Sequence, residues 1–239
     1  EDAVDERTAA VVTSHVYYAT GAVQDLRALA EIAHRKGALC IVDAYQSIGQ
    51  VPVDAKATGV DALCGGALKW LLGGPGCAFL YVRDELARAL EPTVVSWFGT
   101  ADPFAFDPRT LRLRADARRF ELGTPAVAAV YAARAGLSII EEVGVPAIRQ
   151  RIAALVDDLL ARARAAGLAP RVATDPERRS GIVRIEHPDP AAAVAHLARR
   201  GVIVDHRPGA VRISPHVYNT CEDNEAAVAA LAETPATSA

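Results

Sequence analysis

One lysine stands out as a residue that could do chemistry. Lys69 lies among glycines and apolar residues, within residues 65–76, after a predicted strand and before a turn too rich in glycine for a helix. The chain has only two other lysines, Lys36 and Lys56, and both lie in polar surroundings. An amine that is removed from water is pushed toward its neutral, nucleophilic form. Lys69 is therefore a candidate nucleophile, and the alternative is a lysine on a surface loop beside a core strand.

A carboxylate precedes this lysine by 26 residues. Asp43 ends an apolar run that is predicted to be a buried strand, and Gln46 follows three residues later. In an open parallel sheet, ligands bind at the carboxyl ends of strands, where we expect His15, Asp43 and Lys69. A lysine that forms a Schiff base and an aspartate that pairs with a pyridinium nitrogen are what pyridoxal phosphate requires. The alternatives are a helix cap or turn for Asp43, and a structural hydrogen bond for His15.

The elements around these residues predict an α/β fold. Strands are predicted at residues 9–15 and 38–43, and Asp25 can cap a helix between them. This strand–helix–strand order is typical of a parallel sheet flanked by helices. Two more strands are predicted at residues 59–65 and 77–82.

The pattern of predicted secondary structure changes in the second half of the chain. Residues 91–120 are rich in proline and aromatic side chains, and such long loops are usually functional or disordered. Helices are predicted at residues 125–142 and 146–167. The sequence predicts two domains: residues 1–142 as the C-terminal portion of a large cofactor-binding domain, and residues 143–239 as a small α+β domain.

Shorter elements are predicted within the small domain. Strands are expected at residues 181–185, 202–204 and 210–214, and Asp189 can cap a helix that follows it. The last helix is expected to begin with a capping box that starts at Thr220.

Composition excludes several classes of function. Apolar residues make up 51% of the chain and the net charge is −3, which does not suit a nucleic-acid or membrane-surface binder. No apolar run approaches the roughly 20 residues that a membrane span needs, and no secretory signal is visible. The cysteines show no metal-ligand spacing, which favours reduced thiols in a cytoplasmic protein without a metal site. They are Cys40, Cys64, Cys77 and Cys221.

Several segments together resemble the class V aminotransferase-type enzymes. The resemblance is carried by residues 14–21, 42–49, 59–61 and 69–76, and their order and spacing match from about residue 8 to residue 82. It implies the fold type I architecture, with a mostly parallel sheet flanked by helices and a small C-terminal α+β domain. It also implies dependence on pyridoxal phosphate and a homodimer with shared active sites.

The resemblance also implies a role for individual residues. Lys69 would hold the cofactor as a Schiff base and then move the substrate's α-proton. Asp43 would bind the pyridine nitrogen, and Gln46 would contact the phenolic oxygen. Thr124 would reach across the dimer interface to the partner's cofactor phosphate. Arg212 would grip the substrate α-carboxylate through two parallel hydrogen bonds; the alternative is a surface arginine at a strand edge.

Two further segments, residues 17–21 and 96–99, resemble the kynureninase-like branch of the family. The loop that contains Trp97 lines the substrate pocket in that branch, so Trp97 would pack on an apolar or aromatic substrate side chain. The alternative is a core tryptophan under a long loop. His15 would contact the cofactor or assist proton transfer. Arg207 is either a second anion contact or part of a turn.

Two features depart from the family pattern. Gly66, Ala67 and Leu68 stand where relatives have side chains that help to hold the phosphate, so phosphate binding must rest on other groups. The glycine-rich helix N-terminus that cradles the phosphate lies upstream of Glu1 in the family. Because the chain also contains no methionine, we expect that an N-terminal part of the fold is missing and that this chain alone holds the cofactor poorly.

These residues and the resemblance predict an enzyme that acts on an amino acid. The candidate reactions are Cβ-bond cleavage by a lyase or hydrolase, and transamination. Cysteine desulfuration is disfavoured because residues 205–211, the loop before Arg212, contain no cysteine. The alternative is a degenerate, non-catalytic scaffold or subunit. The apolar residues before Lys69 favour that alternative, whereas the retained Asp43, Lys69 and Arg212 oppose it.

Overall fold

The computed structural model describes residues 2–234, in which the chain forms two compact units. Among the described residues, the first unit comprises residues 2–15, 25–45 and 53–139, and the second comprises residues 16–24, 46–52 and 140–234. Glu1 and residues 235–239, which the two predicted domains include, lie outside the described residues. The division at residue 143 stays a prediction.

A four-stranded sheet forms the centre of the first unit. Its strands are β1 (Ala10–Ser14), β2 (Leu39–Asp43), β3 (Ala62–Gly66) and β4 (Ala78–Val82), and they lie in that order. β1, β2 and β3 are parallel, as the strand–helix–strand pattern predicts. β4 is antiparallel to β3 and is an outermost strand of the sheet. The three parallel strands therefore bring their carboxyl ends to one edge.

Helices connect these strands and follow them. They are α1 (Leu26–His34), α2 (Ala55–Thr58), α3 (Asp84–Ala89) and α4 (Val127–Val143). The Asp25 side chain accepts a hydrogen bond from the Ala28 N–H at 3.0 Å, which confirms the predicted N-cap of α1. Two short 3₁₀ helices, Trp97–Gly99 and Ala117–Phe120, interrupt the otherwise irregular stretch before α4. Among the described helices, none combines the length and apolar character of a membrane span.

The second unit has a four-stranded sheet of its own, in which all pairs are antiparallel and the order is β5-β6-β8-β7. Its elements are α5 (Val145–Ala165), β5 (Pro170–Arg171), β6 (Val183–Glu186), α6 (Pro190–Arg199), β7 (Asp205–Arg207), β8 (Ala210–Ile213) and α7 (Cys221–Ala232). Val183 and Ile185 of β6 pair with Ile213 and Val211 of β8 on a buried face of the sheet, whereas Arg184 and Arg212 lie on the opposite face. At the start of α7, Thr220 and Asp223 form the predicted capping box.

The prediction of a strand at residues 202–204 is wrong. Those residues form no strand, and Ile203 is 85% exposed. The strand is β7 instead, and its last residue, Arg207, pairs with Ala210 across a two-residue turn. Gly209 in that turn has a φ of +73°, which glycine adopts without strain. The turn therefore fixes which residues pair, and the polar segment next to it becomes the strand.

A buried carboxylate joins three elements of the first unit. Asp61 is fully buried and accepts hydrogen bonds from the Cys40 N–H at 2.7 Å, from His34 Nε2 at 2.8 Å and from Arg83 Nε. Burial by itself would raise the pKa of the Asp61 carboxyl, but these hydrogen bonds outweigh it and lower the pKa below 3.8. Asp61 therefore stabilises the fold in its ionised form.

Asp61→Asn is expected to lower the free energy of unfolding at neutral pH by about 2 kcal/mol, the order of a buried hydrogen bond to a charged group. Because the folded-state pKa lies below the ordinary value of 3.8, the stabilisation is present above that pH and is lost as the pH falls through the folded pKa. Urea unfolding at several pH values measures the free energy of unfolding of the unmodified protein and of Asp61→Asn. The difference between the two free energies should disappear in acid. Asp25→Asn is the control, since asparagine caps a helix equally well; a gap that persists at low pH would contradict the assignment.

Candidate active site

The carboxyl edge of the first sheet brings together three residues from neighbouring strands. Ser14 at the end of β1 is in register with Asp43 at the end of β2, and Asp43 is in register with Cys64 in β3. The His15 N–H continues this ladder by donating to the Asp43 carbonyl oxygen at 2.9 Å. The parallel pairing therefore places His15 beside Asp43, as the strand pattern predicts.

The Asp43 carboxylate is exposed at this edge, although Asp43 ends a strand that is predicted to be buried. Its Oδ1 accepts a hydrogen bond from the Tyr45 N–H at 2.8 Å, which fixes the turn that follows β2. The turn role and a ligand role are compatible, because a carboxylate has more acceptor sites than this one bond uses. Burial, and then the charge of Asp43, raises the pKa of the Cys64 thiol.

His15 is a buried histidine with an unused ring nitrogen. Its exposure is only 5%, and its Nδ1 has no hydrogen-bond partner among residues 2–234. Burial lowers the pKa of His15 to about 4, so the ring is neutral at physiological pH. A buried polar atom without a partner is rare in folded proteins and indicates a ligand or water contact. A neutral imidazole can make such a contact without competing for the charge of Asp43.

Lys69 follows β3 in a turn, as predicted, but its side chain is exposed, so the expectation of a desolvated amine is wrong for this chain. Its Nζ lies 5.7 Å from the centroid of the Tyr45 ring, within the range of a cation–π contact. A Cβ on Gly66 would lie 2.4 Å from Cε1 of that ring. The missing side chain at Gly66 therefore makes room for Tyr45, which in turn supports the Lys69 amine.

The turn that carries Lys69 is held by its own backbone. The Ala67 N–H donates to the Cys77 carbonyl at 2.9 Å, and the Ala67 carbonyl accepts from the Gly73 N–H at 2.7 Å. The Lys69 carbonyl accepts from the Leu72 N–H at 3.1 Å. The Ala67 amide is thus already bonded, so it does not supply the missing phosphate contact.

Helix α4 packs against this turn at main-chain distance. A Cβ on Gly136 would lie 2.4 Å from the Leu71 carbonyl oxygen, and a Cβ on Gly73 would lie 2.8 Å from the Ala133 Cα. Real Cβ atoms do not approach other atoms that closely, so both positions require glycine for packing. The small residues on one face of α4 therefore determine where the Lys69 turn sits.

Trp97 and Thr124 belong to the first unit and lie on the segment between α3 and α4. Trp97 is 42% exposed, so it is not a core tryptophan, and its Nε1 donates to the Pro103 carbonyl. Its ring centroid lies 5.5 Å from that of Phe104 and 6.0 Å from that of Phe106. Trp97 and Phe106 line a cavity of about 330 Å³. Thr124 lies in an exposed segment that leads into α4.

Gln46 and Arg212 belong to the second unit. The Gln46 carbonyl accepts a hydrogen bond from the side chain of Gln50, which is fully buried and also accepts from the Gly181 N–H at 2.7 Å. Arg212 lies on β8, an interior strand, and its side chain is only 16% exposed. It is therefore not a surface arginine at a strand edge. Burial, and then the charge of Arg207, lowers the pKa of Arg212.

Sequence reasoning missed two features of the candidate site. Tyr45 was not singled out, although its position two residues after Asp43 places it at the same edge. Arg184 on the second sheet was also missed. Its signal is the period of two in the strand sequences, which puts Arg184 on the same face of the sheet as the predicted Arg212.

The side chains at the sheet edge fit the ring end of pyridoxal phosphate. Lys69 offers an accessible amine, Asp43 offers an accessible carboxylate, and His15 offers a buried nitrogen that lacks a partner. Residues 66–68 offer no side-chain donor for a phosphate group.

Comparison with known families supports this assignment. The sequence model for "Aminotransferase class-V" matches residues 1–226. An uncharacterized aminotransferase, YcbU, from Bacillus subtilis (strain 168) is 41% identical over 232 residues, which cover 97% of this chain and 61% of that protein. A kynureninase from Pseudomonas fluorescens is 35% identical over 210 residues, covering 86% of this chain and 50% of that enzyme. The chain thus spans about half to three-fifths of the length of these curated relatives.

Solved structures show the same fold. The apo cysteine desulfurase from Thermococcus onnurineus NA1 superposes with a TM-score of 0.84 and 26% identity, covering 93% of this chain and 59% of that one. A C-DES mutant with glycine covalently linked to its pyridoxal phosphate cofactor superposes with a TM-score of 0.88 and 22% identity, covering 98% of this chain and 63% of that one. The second likeness shows the fold alone. Both agree with the mostly parallel sheet and flanking helices described above.

Proposed function

Because the chain belongs to the aminotransferase class-V family, we propose that it acts as a pyridoxal-phosphate enzyme on an amino-acid substrate. The observation that carries the proposal is the sheet edge at which Asp43, the Lys69 turn and a His15 Nδ1 without a partner among the described residues occur together. A structural protein has no need to keep an exposed carboxylate, an accessible amine and an unsatisfied buried nitrogen at one edge.

Each of these side chains has a distinct proposed task. The bound cofactor supplies an electron-accepting ring to the bonds around the substrate Cα. Lys69 Nζ would hold the cofactor through its aldehyde carbon, and as a free amine it would move the proton at the substrate Cα. Asp43 keeps a proton on the ring nitrogen by its negative charge. His15, which is neutral, provides a hydrogen bond without adding charge.

The Tyr45 ring orients the Lys69 amine for both tasks. A cation–π contact is worth roughly 0.5–1 kcal/mol at an exposed site, which biases the side chain without locking it. A lysine that must first bind the cofactor and then reach the substrate proton needs this freedom. We propose that Gly66 is present for this reason, in place of a residue that contacts phosphate.

The remaining predicted residues complete the proposal. Arg212 binds the substrate α-carboxylate, Gln46 contacts the phenolic oxygen of the cofactor, and Trp97 contacts the substrate side chain. Thr124 contributes to the site of a second copy in a cytoplasmic homodimer. The reaction is Cβ-bond cleavage or transamination, supported by the kynureninase and aminotransferase names of the relatives.

Borohydride reduction in the presence of pyridoxal phosphate, followed by peptide mapping, tests the proposal. We expect a pyridoxyl group on Lys69, because reduction fixes the linkage between the aldehyde carbon and the amine. The chain provides internal controls, since Lys36 and Lys56 are its other lysines. Equal labelling of all three lysines would show reaction with surface amines only. No labelling of Lys69 in the complete protein would instead support a non-catalytic scaffold.

A further inference from the structure

Charged side chains form a row across the polar face of the second sheet. Arg171 on β5 is in register with Arg184 on β6, Arg184 with Arg212 on β8, and Arg212 with Asp205 on β7. Residues that face each other across antiparallel strands have Cβ atoms roughly 4.5–5.5 Å apart. Arg207 lies two residues after Asp205 and therefore on the same face. We call Arg184, Arg207 and Arg212 the arginine row.

The carboxylates on this face do not balance its positive charge. Glu186 forms a two-bond ion pair with Arg171, at 2.9 and 3.1 Å. Asp205 Oδ2 is shared between Arg207 at 2.6 Å and Arg212 at 3.2 Å. The named face thus carries four guanidinium groups and two carboxylates, and the excess charge lies in the arginine row.

The arginine row also has unused hydrogen-bond donors. The Nε of each of its three arginines is buried and has no acceptor within the part of the chain that the structure describes. A guanidinium has five N–H donors in a fixed fork and normally satisfies those that are buried. Three such donors beside a positive excess indicate that an anion completes this surface.

Tyr18 holds two of these guanidinium groups in place. The Arg207 guanidinium carbon lies 5.3 Å from the centroid of the Tyr18 ring, and Arg212 Nη1 donates to the Tyr18 carbonyl oxygen at 3.0 Å. Stacking on an aromatic face suits arginine and limits its rotation. The surface is therefore ordered before an anion arrives, which reduces the entropic cost of binding.

We propose that the arginine row binds two anionic groups of one ligand. Resting on the proposed function, in which Arg212 takes the α-carboxylate, this assigns the substrate to amino acids that bear a second acidic group. Arg207 and Arg184 bind that side-chain acid, and the shared Asp205 carboxylate holds Arg207 and Arg212 beside each other.

Binding of L-glutamate and of L-glutamine to the protein tests the inference. The two amino acids differ only at the end of the side chain, which is a charged carboxylate in glutamate and a neutral amide in glutamine. The arginine Nε–H signals in nitrogen-15 NMR spectra report on the row directly and do not depend on turnover. We expect glutamate to bind at least about tenfold more tightly than glutamine, the effect of one charge-assisted hydrogen bond. Arg207→Gln should remove that preference. Arg171→Gln is the matched control on the same face, and should keep it.

Three outcomes would overturn the inference: equal affinity for the two amino acids, no response of the Nε–H signals to either, or equal loss of preference in both variants. Thermal unfolding of each variant identifies a change in fold, and Arg184→Gln then provides a second test of the row. The result is separable from the proposed function. A pyridoxyl group on Lys69 without a glutamate preference contradicts only the arginine row, whereas the reverse pattern contradicts only the role of Lys69.

Discussion

Lys69→Ala is expected to lower turnover by about 10²- to 10⁴-fold, the range for loss of a positioned acid–base group. It should also leave the protein without a covalent attachment point for the cofactor. Both effects follow because one Nζ performs both tasks, and neither of the other two lysines occupies the sheet edge. The fold should be unchanged, since the Lys69 side chain is exposed and its turn is held by backbone hydrogen bonds. Turnover of the complete enzyme and the absorbance of bound cofactor measure the two effects.

Lys36→Ala is the matched control for this variant. Lys36 Nζ forms an exposed ion pair with Glu6 at 2.7 Å, so its loss should leave turnover unchanged. A small primary amine added to Lys69→Ala should restore part of the activity, because it can move the proton that Nζ moved. Undiminished activity in Lys69→Ala would remove the basis of the proposed mechanism.

Asp43→Asn is expected to lower turnover by about 10- to 1,000-fold, which corresponds to the pKa change of 1–3 units that an adjacent opposite charge produces. The asparagine oxygen can still accept the hydrogen bond from the Tyr45 N–H, so the turn after β2 persists. The variant therefore isolates the negative charge from the structural role. Steady-state kinetics with the complete enzyme, supported by circular dichroism, measure the effect.

A cofactor analogue that is methylated at the ring nitrogen sharpens this test. Its positive charge is permanent, so Asp43→Asn should regain activity with the analogue if the carboxylate acts by keeping the nitrogen charged. Asp54→Asn is the control: Asp54 is another exposed aspartate that accepts a backbone hydrogen bond, from the Ala57 N–H at 2.8 Å. Equal losses in the two variants would show that Asp43 acts through the fold alone.

Local patterns predicted those parts of the fold that local interactions determine. The caps at Asp25 and Thr220 are set within four residues, and the structure confirms both. The β1-α1-β2 unit follows from one strand–helix–strand pattern. Strand pairing that depends on a turn was harder to predict. The apolar residues 202–204 were expected to form a strand, but they lie outside the sheet, and the polar β7 pairs with β8 instead.

Exposure at the candidate site was not predictable from neighbouring residues. Lys69 and Asp43 each adjoin an apolar strand, which suggested burial, yet both are exposed. Burial at the end of a strand depends on which other segments pack over that end, and the sequence of the strand itself does not reveal them. The role of Gly66 was hidden for a similar reason, because its partner, the Tyr45 ring, comes from the turn that follows a different strand.

The contact between α4 and the Lys69 turn limits which substitutions this sequence can accept. At Ala133 and Gly136 the helix meets the turn without side chains between them, so the constraint concerns volume and not polarity. Leu68, which is exposed, carries no such restriction. Packing therefore leaves the residue before the lysine open to exchange, whereas one extra methyl group at Gly136 of the helix would displace the turn that carries the lysine.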